Sequence, residues 1–249
     1  MTELRIEKLT VRYGRGPSVH TAADEVSLTV PASQTLGLVG ESGSGKSTVA
    51  RAAAGLVSAD SGTIKLGGKP LPRRGLRPVQ MIFQDPRSSL DPRMSIGESI
   101  AECLPSRFSR SARRSEISRL LDMVHLDPTR RGARPPELSG GQLQRVAIAR
   151  VLAARPAVVV ADEITSALDV SVQGAVLNLV RELQTELGLS LLFISHNLAV
   201  VRYVASQVAV MRTGRILEAG PADQVFHRPQ HSYTRQLLDA VPDTLRSTP

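Results

Sequence analysis

Eight consecutive residues, Gly40-Glu41-Ser42-Gly43-Ser44-Gly45-Lys46-Ser47, fit the pattern G-x-x-x-x-G-K-[ST] without a mismatch. Glycines at these places let backbone N–H groups curl around phosphate oxygens, and a following helix N-terminus favours their negative charge. Lys46 can reach the β- and γ-phosphates of a nucleotide, and the Ser47 hydroxyl can ligate Mg²⁺. Thr48, next in line, completes the expected ATP-binding set with residues 40–47.

A second group is Val158-Val159-Val160-Ala161-Asp162-Glu163. A buried strand ending in two acids sets both at the C-terminal edge of a sheet, where open α/β folds bind ligands. Asp162 is expected to hold the Mg²⁺ shell, and Glu163 to polarise an attacking water as general base. A third stretch, Leu138-Ser139-Gly140-Gly141-Gln142, opens a helix with small residues. Helix-terminus physics allows a second anion site there, and equally allows a plain cap by Ser139.

These groups need a scaffold. Leu4 and Ile6, then Leu9 and Val11, alternate as a strand, with Val26, Leu28 and Val30 as its partner. Residues 14–18 form the turn between. Residues 35–39 are a short apolar strand leading into the glycines, and 46–56 an alanine-rich helix. A turn at 59–62 leads to a strand pair and a Pro/Gly-rich loop ending at Pro78, then a strand at 79–83. The stretch 88–136 is helical and polar, broken by Pro92, Pro105 and Pro128. A helix at 138–154 precedes a buried strand at 157–161. Val176, Val180, Leu183 and Leu187 share one helical stripe expected to be buried. Residues 189–195, a helix from Asn197, and strands at 208–211 and 215–218 complete the alternation. Strands alternating with helices imply a mostly parallel sheet covered on both faces, here interrupted by an inserted helical subdomain.

Composition bounds the function. The chain has 249 residues, enough for a large core, and its charged share of 22% is that of an ordinary globular protein. No apolar run reaches membrane-helix length, and the first residues lack the pattern of a signal peptide, which suggests a cytosolic chain. The single cysteine, Cys103, excludes an internal disulfide and is expected to be a partly buried helix residue. A net charge of +8 suits nucleic acid, anionic lipid or a nucleotide without choosing among them. The densest basic stretch, residues 107–114, lacks the interleaved aromatics of a single-strand platform and is expected to be a solvated helix face.

Taken together the motifs resemble the ATP-binding subunits of ABC transporters, over nearly the whole chain; Leu138-Ser139-Gly140-Gly141-Gln142 matches that family's signature in full. The resemblance implies an α/β P-loop NTPase fold, a RecA-like parallel sheet with an N-terminal antiparallel β-subdomain and an inserted α-helical subdomain. It divides one ABC-type ATPase domain into 1–87 with 137–249, a helical subdomain at 88–136, and a short tail at 221–249. It implies a head-to-tail pair in which each ATP lies between one chain's 40–47 loop and the partner's Ser139-Gly140-Gly141. Tyr13 resembles the aromatic that stacks on adenine. Gln84 resembles the glutamine that reaches Mg²⁺ and the attacking water, and His196 the switch histidine at the γ-phosphate, so that Glu163, His196 and Gln84 form the catalytic set and Ser47, Gln84 and Asp162 the metal set. Ser166-Ala167-Leu168-Asp169 resembles the loop that crosses the dimer.

Departures are visible too. Ile164 stands where proline is usual, and Leu143, where arginine is common, is expected at the surface. His20, His125, His227 and His231 are expected to be capping or core residues. The stretches 84–93, 167–173 and 227–238 resemble the peptide/nickel importer branch, and the cysteines of its iron–sulfur extension are missing. The implied partners are a second ATP-binding subunit (a paralogue, or a second copy), two membrane permease subunits and, indirectly, an extracytoplasmic solute-binding protein, with no nucleic acid. ATP and Mg²⁺ are the implied ligands, and the cytoplasmic face of the membrane the implied location. The competing reading is a soluble ABC-type ATPase of a cytosolic complex, in phosphonate breakdown or on nucleic acid.

Overall fold

A computed structural model describes residues 2–71 and 78–240; most of the Pro/Gly-rich loop expected before Pro78, and the last part of the expected tail, lie outside the described residues. The N-terminal strand signal becomes β1 (Leu4–Tyr13), paired antiparallel with β2 (His20–Val30). The break in alternation between Ile6 and Leu9 has a structural cause. Register shifts there, and Lys8 has a φ of 47°, so a bulge returns Leu9 to the buried face. With β4 (Ser61–Leu66) and β5 (Lys69–Pro70) these strands form a four-stranded sheet in the order β2-β1-β4-β5.

The second sheet has six strands in the order β10-β9-β3-β8-β7-β6. β3 (Thr35–Val39), β6 (Val79–Ile82), β7 (Val158–Asp162), β8 (Ser190–Ile194) and β9 (Gln207–Arg212) run parallel, and β10 (Arg215–Pro221) turns back antiparallel to β9. The last two strands are therefore a hairpin at the sheet edge. Both faces of the sheet are covered, as the continuous apolar runs demand. Val158 and Val160 join the core shared with the antiparallel sheet and with α1 (Lys46–Ala53). Val159 and Ala161 join the core beneath α4 (Gly140–Ala153), α5 (Val170–Leu187) and α6 (Leu198–Val204).

Between β6 and α4 the chain forms α2 (Ile96–Ala101), α3 (Arg110–Met123) and two 3-10 turns, Pro128–Gly132 and Pro135–Glu137. Ser95 caps α2 with a reciprocal bond to Glu98, and Ser109 caps α3. Arg110 and Arg114 lie exposed on α3, as expected of a solvated face. The C-terminal segment adds α7 (Ala222–His227) and α8 (Ser232–Asp239).

Four local expectations are corrected. Leu143 is fully buried rather than superficial, because the side of α4 it occupies faces the core that also takes Leu120, Leu121 and Leu138. Leu187, at the end of the α5 stripe, is 43% exposed, since Gly188 in the left-handed region ends the helix beyond the core. Cys103 lies in the turn after α2, partly buried but not helical. Of the four histidines without an assigned role only His231 is a cap, accepting from the N–H of Tyr233; His20, His125 and His227 are exposed, and His125 pairs with Glu182 at 3.4 Å.

Candidate functional site

The parallel strands converge on one edge, and their C-terminal ends carry the polar residues. β3 runs into the 40–47 loop, whose glycines do what the motif requires: Gly40, Gly43 and Gly45 have φ of 152°, 79° and 104°. Space forbids a side chain at two of them. A Cβ on Gly40 would lie 2.0 Å from the Met211 carbonyl oxygen, and one on Gly45 would lie 2.1 Å from that of Ala22. The loop is thus wedged between the β9–β10 turn and the antiparallel sheet. Gly214 N–H donates to Ser44 O at 2.9 Å and Asp24 N–H donates to Gly214 O at 2.8 Å, which ties all three together.

Lys46 opens α1 with its ammonium folded into the loop, donating to Gly40 O and Glu41 O, both at 2.8 Å. Burial pushes its pKa down, against the pull of Glu163, Asp162 and Glu41. A lysine so placed is a cation lacking bulk solvation, which phosphate oxygens would satisfy. Ser47 Oγ donates to Asp162 Oδ1 at 3.0 Å, joining the first turn of α1 to the end of β7. Asp162 is only 5% exposed, and burial, with Glu163 adding, pushes its carboxyl above the ordinary range. Thr48 follows, half-buried, in the first turn of α1.

Glu163 leaves β7 in the left-handed region, with φ 49°, its N–H held by Ile194 O at 3.0 Å. That turn aims the carboxylate at two neighbours. Gln84 Nε2 donates to Glu163 Oε2 at 3.3 Å and to Ser166 Oγ at 3.0 Å. His196 Nδ1 lies 3.1 Å from Glu163 Oε1. The catalytic set expected from sequence, Glu163, His196 and Gln84, is therefore in direct contact, beside Ser47 and Asp162. Ser166 also donates to Glu163 O at 2.9 Å, so the 166–169 loop starts inside this network. Tyr13 ends β1 and is 40% exposed, an open aromatic face paired in register with His20.

The 138–142 stretch lies elsewhere. Ser139 caps α4, its Oγ accepting from Gln142 N–H at 3.4 Å while Gln142 Oε1 accepts from Ser139 N–H at 3.0 Å. Among the described residues no hydrogen bond joins this turn to the phosphate loop. It packs on the next expected segment instead. A Cβ on Gly140 would meet Leu168 Cδ2 at 3.4 Å, and one on Gly141 would meet Val172 Cγ1 at 2.5 Å. The two stretches assigned by resemblance to a chain–chain contact are neighbours here through Gly140 and Leu168, and Gly141 permits the approach of Val172 on α5.

Sequence reasoning missed residues that brace the loop from the C-terminal side. Tyr233 Oη accepts from Glu41 N–H at 3.3 Å, and the Arg212 guanidinium lies 4.5 Å from the centre of its ring. The tail carrying Tyr233 was visible as a branch likeness, but nothing in its spacing pointed at a loop 192 residues away. The donor set fits the Mg²⁺ that the resemblance implies. Among the described residues no three His, Cys, Asp or Glu side chains cluster as a metal cage. A hydroxyl, a carboxylate and an amide suit Mg²⁺, which keeps waters and leans on substrate phosphates.

Comparison with known proteins agrees with this geometry. Residues 23–166 match the ABC transporter family model. The oligopeptide transport ATP-binding protein OppF of Escherichia coli is 48% identical over 92% of this chain and 72% of its own. The di/tripeptide transport ATP-binding protein DppF of Pseudomonas aeruginosa is 46% identical, over 92% of this chain and 73% of its own. Among solved structures, the ATP-binding cassette MJ0796 in a dimeric post-hydrolysis state with ADP and Pi superposes with a TM-score of 0.78 at 25% identity, covering 88% of this chain and 98% of that one. The cbiO1 protein of Clostridium perfringens, part of an ABC transporter complex, gives 0.81 at 25% identity over 97% and 96%. The chain belongs to the ABC transporter family, as an ATP-binding and ATP-hydrolysing subunit.

Proposed function

We propose that this chain hydrolyses ATP to energise import of peptides or related small solutes through membrane permease subunits. The observation that carries the reading is the contact set at one sheet edge: Lys46 and Ser47 from the loop, Asp162 and Glu163 from β7, Gln84 and His196 closing on Glu163. Relatives named for oligopeptide, di/tripeptide and, in Pectobacterium atrosepticum, glutathione import favour a peptide-like solute over nickel and over a cytosolic complex.

The geometry supports the following residue roles. The 40–47 backbone and Lys46 bind the phosphates, and Tyr13 offers its ring to adenine. Ser47 and Asp162, with Gln84, would hold Mg²⁺, which would supply positive charge to neutralise the phosphates. Glu163 accepts a proton from the attacking water, His196 and Gln84 fix the carboxylate, and His196 reaches the γ-phosphate. The site is half complete in one chain. Ser139, Gly140 and Gly141, with the 166–169 loop beside them, face a second ATP-binding subunit and cap its nucleotide. Permeases dock from the membrane side, which puts the chain at the cytoplasmic face of the membrane; among the described residues no helix is long and apolar enough to cross it.

The test is Lys46→Ala. Titration with a fluorescent ADP analogue should show binding weakened by at least about a hundredfold, consistent with loss of charge-assisted bonds to two phosphates. Affinity retained within about threefold would remove the loop from the reading.

A further inference from the structure

The C-terminal helix reaches the phosphate loop, and nothing in the reading above gives that contact a role. α8 is seated firmly on β10. Glu218 accepts from the backbone N–H groups of Gln230 at 2.8 Å and His231 at 3.0 Å, and His231 Nδ1 caps the helix through Tyr233 N–H at 3.1 Å. Two acceptor oxygens on β10 thus fix where the first turn of α8 begins, and with it the direction of Tyr233.

Tyr233 is 2% exposed, a degree of burial at which a phenol usually has a partner. Its partner is the main chain of the loop, Glu41 N–H at 3.3 Å. Its ring lies under Arg212, which follows Met211, whose carbonyl oxygen occupies the space a Gly40 side chain would need. Gly40 and Glu41 are also the two residues whose carbonyls hold the Lys46 ammonium. The same two peptide units are therefore gripped by Lys46 from within, by β9 behind Gly40, and by Tyr233 at Glu41. A phosphate would compete with those carbonyls for the Lys46 ammonium, whereas the Tyr233 and Met211 contacts do not involve Lys46.

We propose that Tyr233 is a positioning residue for the phosphate loop, making nucleotide affinity depend on the seating of α8 against β10. The proposal rests on the assignment of nucleotide binding to residues 40–47. Binding coupling is reciprocal: if seated α8 favours nucleotide, nucleotide favours seated α8 by the same factor. A tyrosine that merely fills space predicts no such exchange.

The experiment uses the purified full chain with a fluorescent ADP analogue and hydrogen exchange with and without ADP. Tyr233→Phe keeps the ring beneath Arg212 and removes the acceptor. It should weaken ADP binding about fivefold, the scale of one hydrogen bond. Its melting temperature should stay within about 2 °C of native. ADP should slow exchange in the 232–239 segment of the native chain and lose that effect in Tyr233→Phe. Glu218→Ala, which frees the start of α8 and leaves the tyrosine in place, should weaken binding in the same direction. ADP affinity within about twofold of native in both variants, or undiminished ADP protection of α8 in Tyr233→Phe, overturns the proposal. Lys46→Ala separates the two levels. If it binds ADP like the native chain, the loop assignment falls and the coupling with it; if it loses binding while both α8 variants bind normally, only the coupling falls.

Discussion

Replacing Glu163 by Gln removes the proposed base and leaves almost everything else in place, which makes it a sharp test of the catalytic assignment. In the native chain Oε2 accepts from Gln84 Nε2 at 3.3 Å, and Oε1 faces His196 Nδ1 at 3.1 Å. A glutamine can keep both contacts. Its carbonyl oxygen takes the Gln84 bond, and its amide donates to Nδ1 of a neutral His196 protonated on Nε2. The backbone stays in its left-handed turn, held by Ile194 O. The His196–Glu163 pair contributes little stability in any case, because His196 is 57% exposed, and such pairs are worth about 0–1 kcal/mol. Folding and nucleotide binding should therefore change little. Hydrolysis should not survive: loss of a general base lowers rates by about 10²–10⁴, or roughly 2.7–5.5 kcal/mol of activation energy. Phosphate release by the purified subunit, or by the assembled transporter, measures this directly. A rate within about tenfold of native, with ATP binding intact, would refute Glu163 as the base.

Two further substitutions probe other parts of the account. Asp162→Asn should abolish metal-dependent hydrolysis yet stabilise the fold at neutral pH, raising the melting temperature by about 2–4 °C per kcal/mol regained. The sign follows from the raised carboxyl. The native state holds the Asp162 proton more tightly than the unfolded chain does, so this group's favourable contribution is full below its ordinary 3.8 and is lost as pH rises through the native value. Part of the acid-side pH dependence of stability should vanish in the variant, and a lowered melting temperature at pH 7 would contradict the argument. Leu143→Ala, at a fully buried position, should cost about 2–5 kcal/mol through lost burial and an unfilled cavity. Thermal or urea denaturation checks it, and a change below about 0.5 kcal/mol would return Leu143 to the surface.

The local structure of the candidate site was legible in the sequence because it is spelled by adjacent residues. The phosphate loop, the acidic strand end and the capped signature turn each need a short stretch of fixed types, and each formed where expected. Gln84, His196 and Tyr13 were reached only by resemblance, since a lone glutamine, histidine or tyrosine has no spacing to read. The bulge at Lys8 was written in the sequence as a slip in alternation, Leu4 and Ile6 then Leu9 and Val11, though its meaning needed the register. What escaped was long-range. Leu143 looked superficial because arginine is common at its place in the family, yet it and its neighbour Gln144 are both fully buried. The strands at 208–211 and 215–218 were legible, but a turn of Thr213 and Gly214 does not declare that they pair antiparallel at the sheet edge. Tyr233 was hidden for the same reason, since its partner is a backbone N–H, which any residue could supply.

The most direct test of the whole account is uptake of a labelled peptide by cells lacking this chain, complemented with native protein or with Glu163→Gln at equal abundance. The account predicts that uptake is lost on deletion, restored by the native chain and not restored by the variant. Peptide uptake that survives deletion, or that Glu163→Gln restores in full, would contradict it.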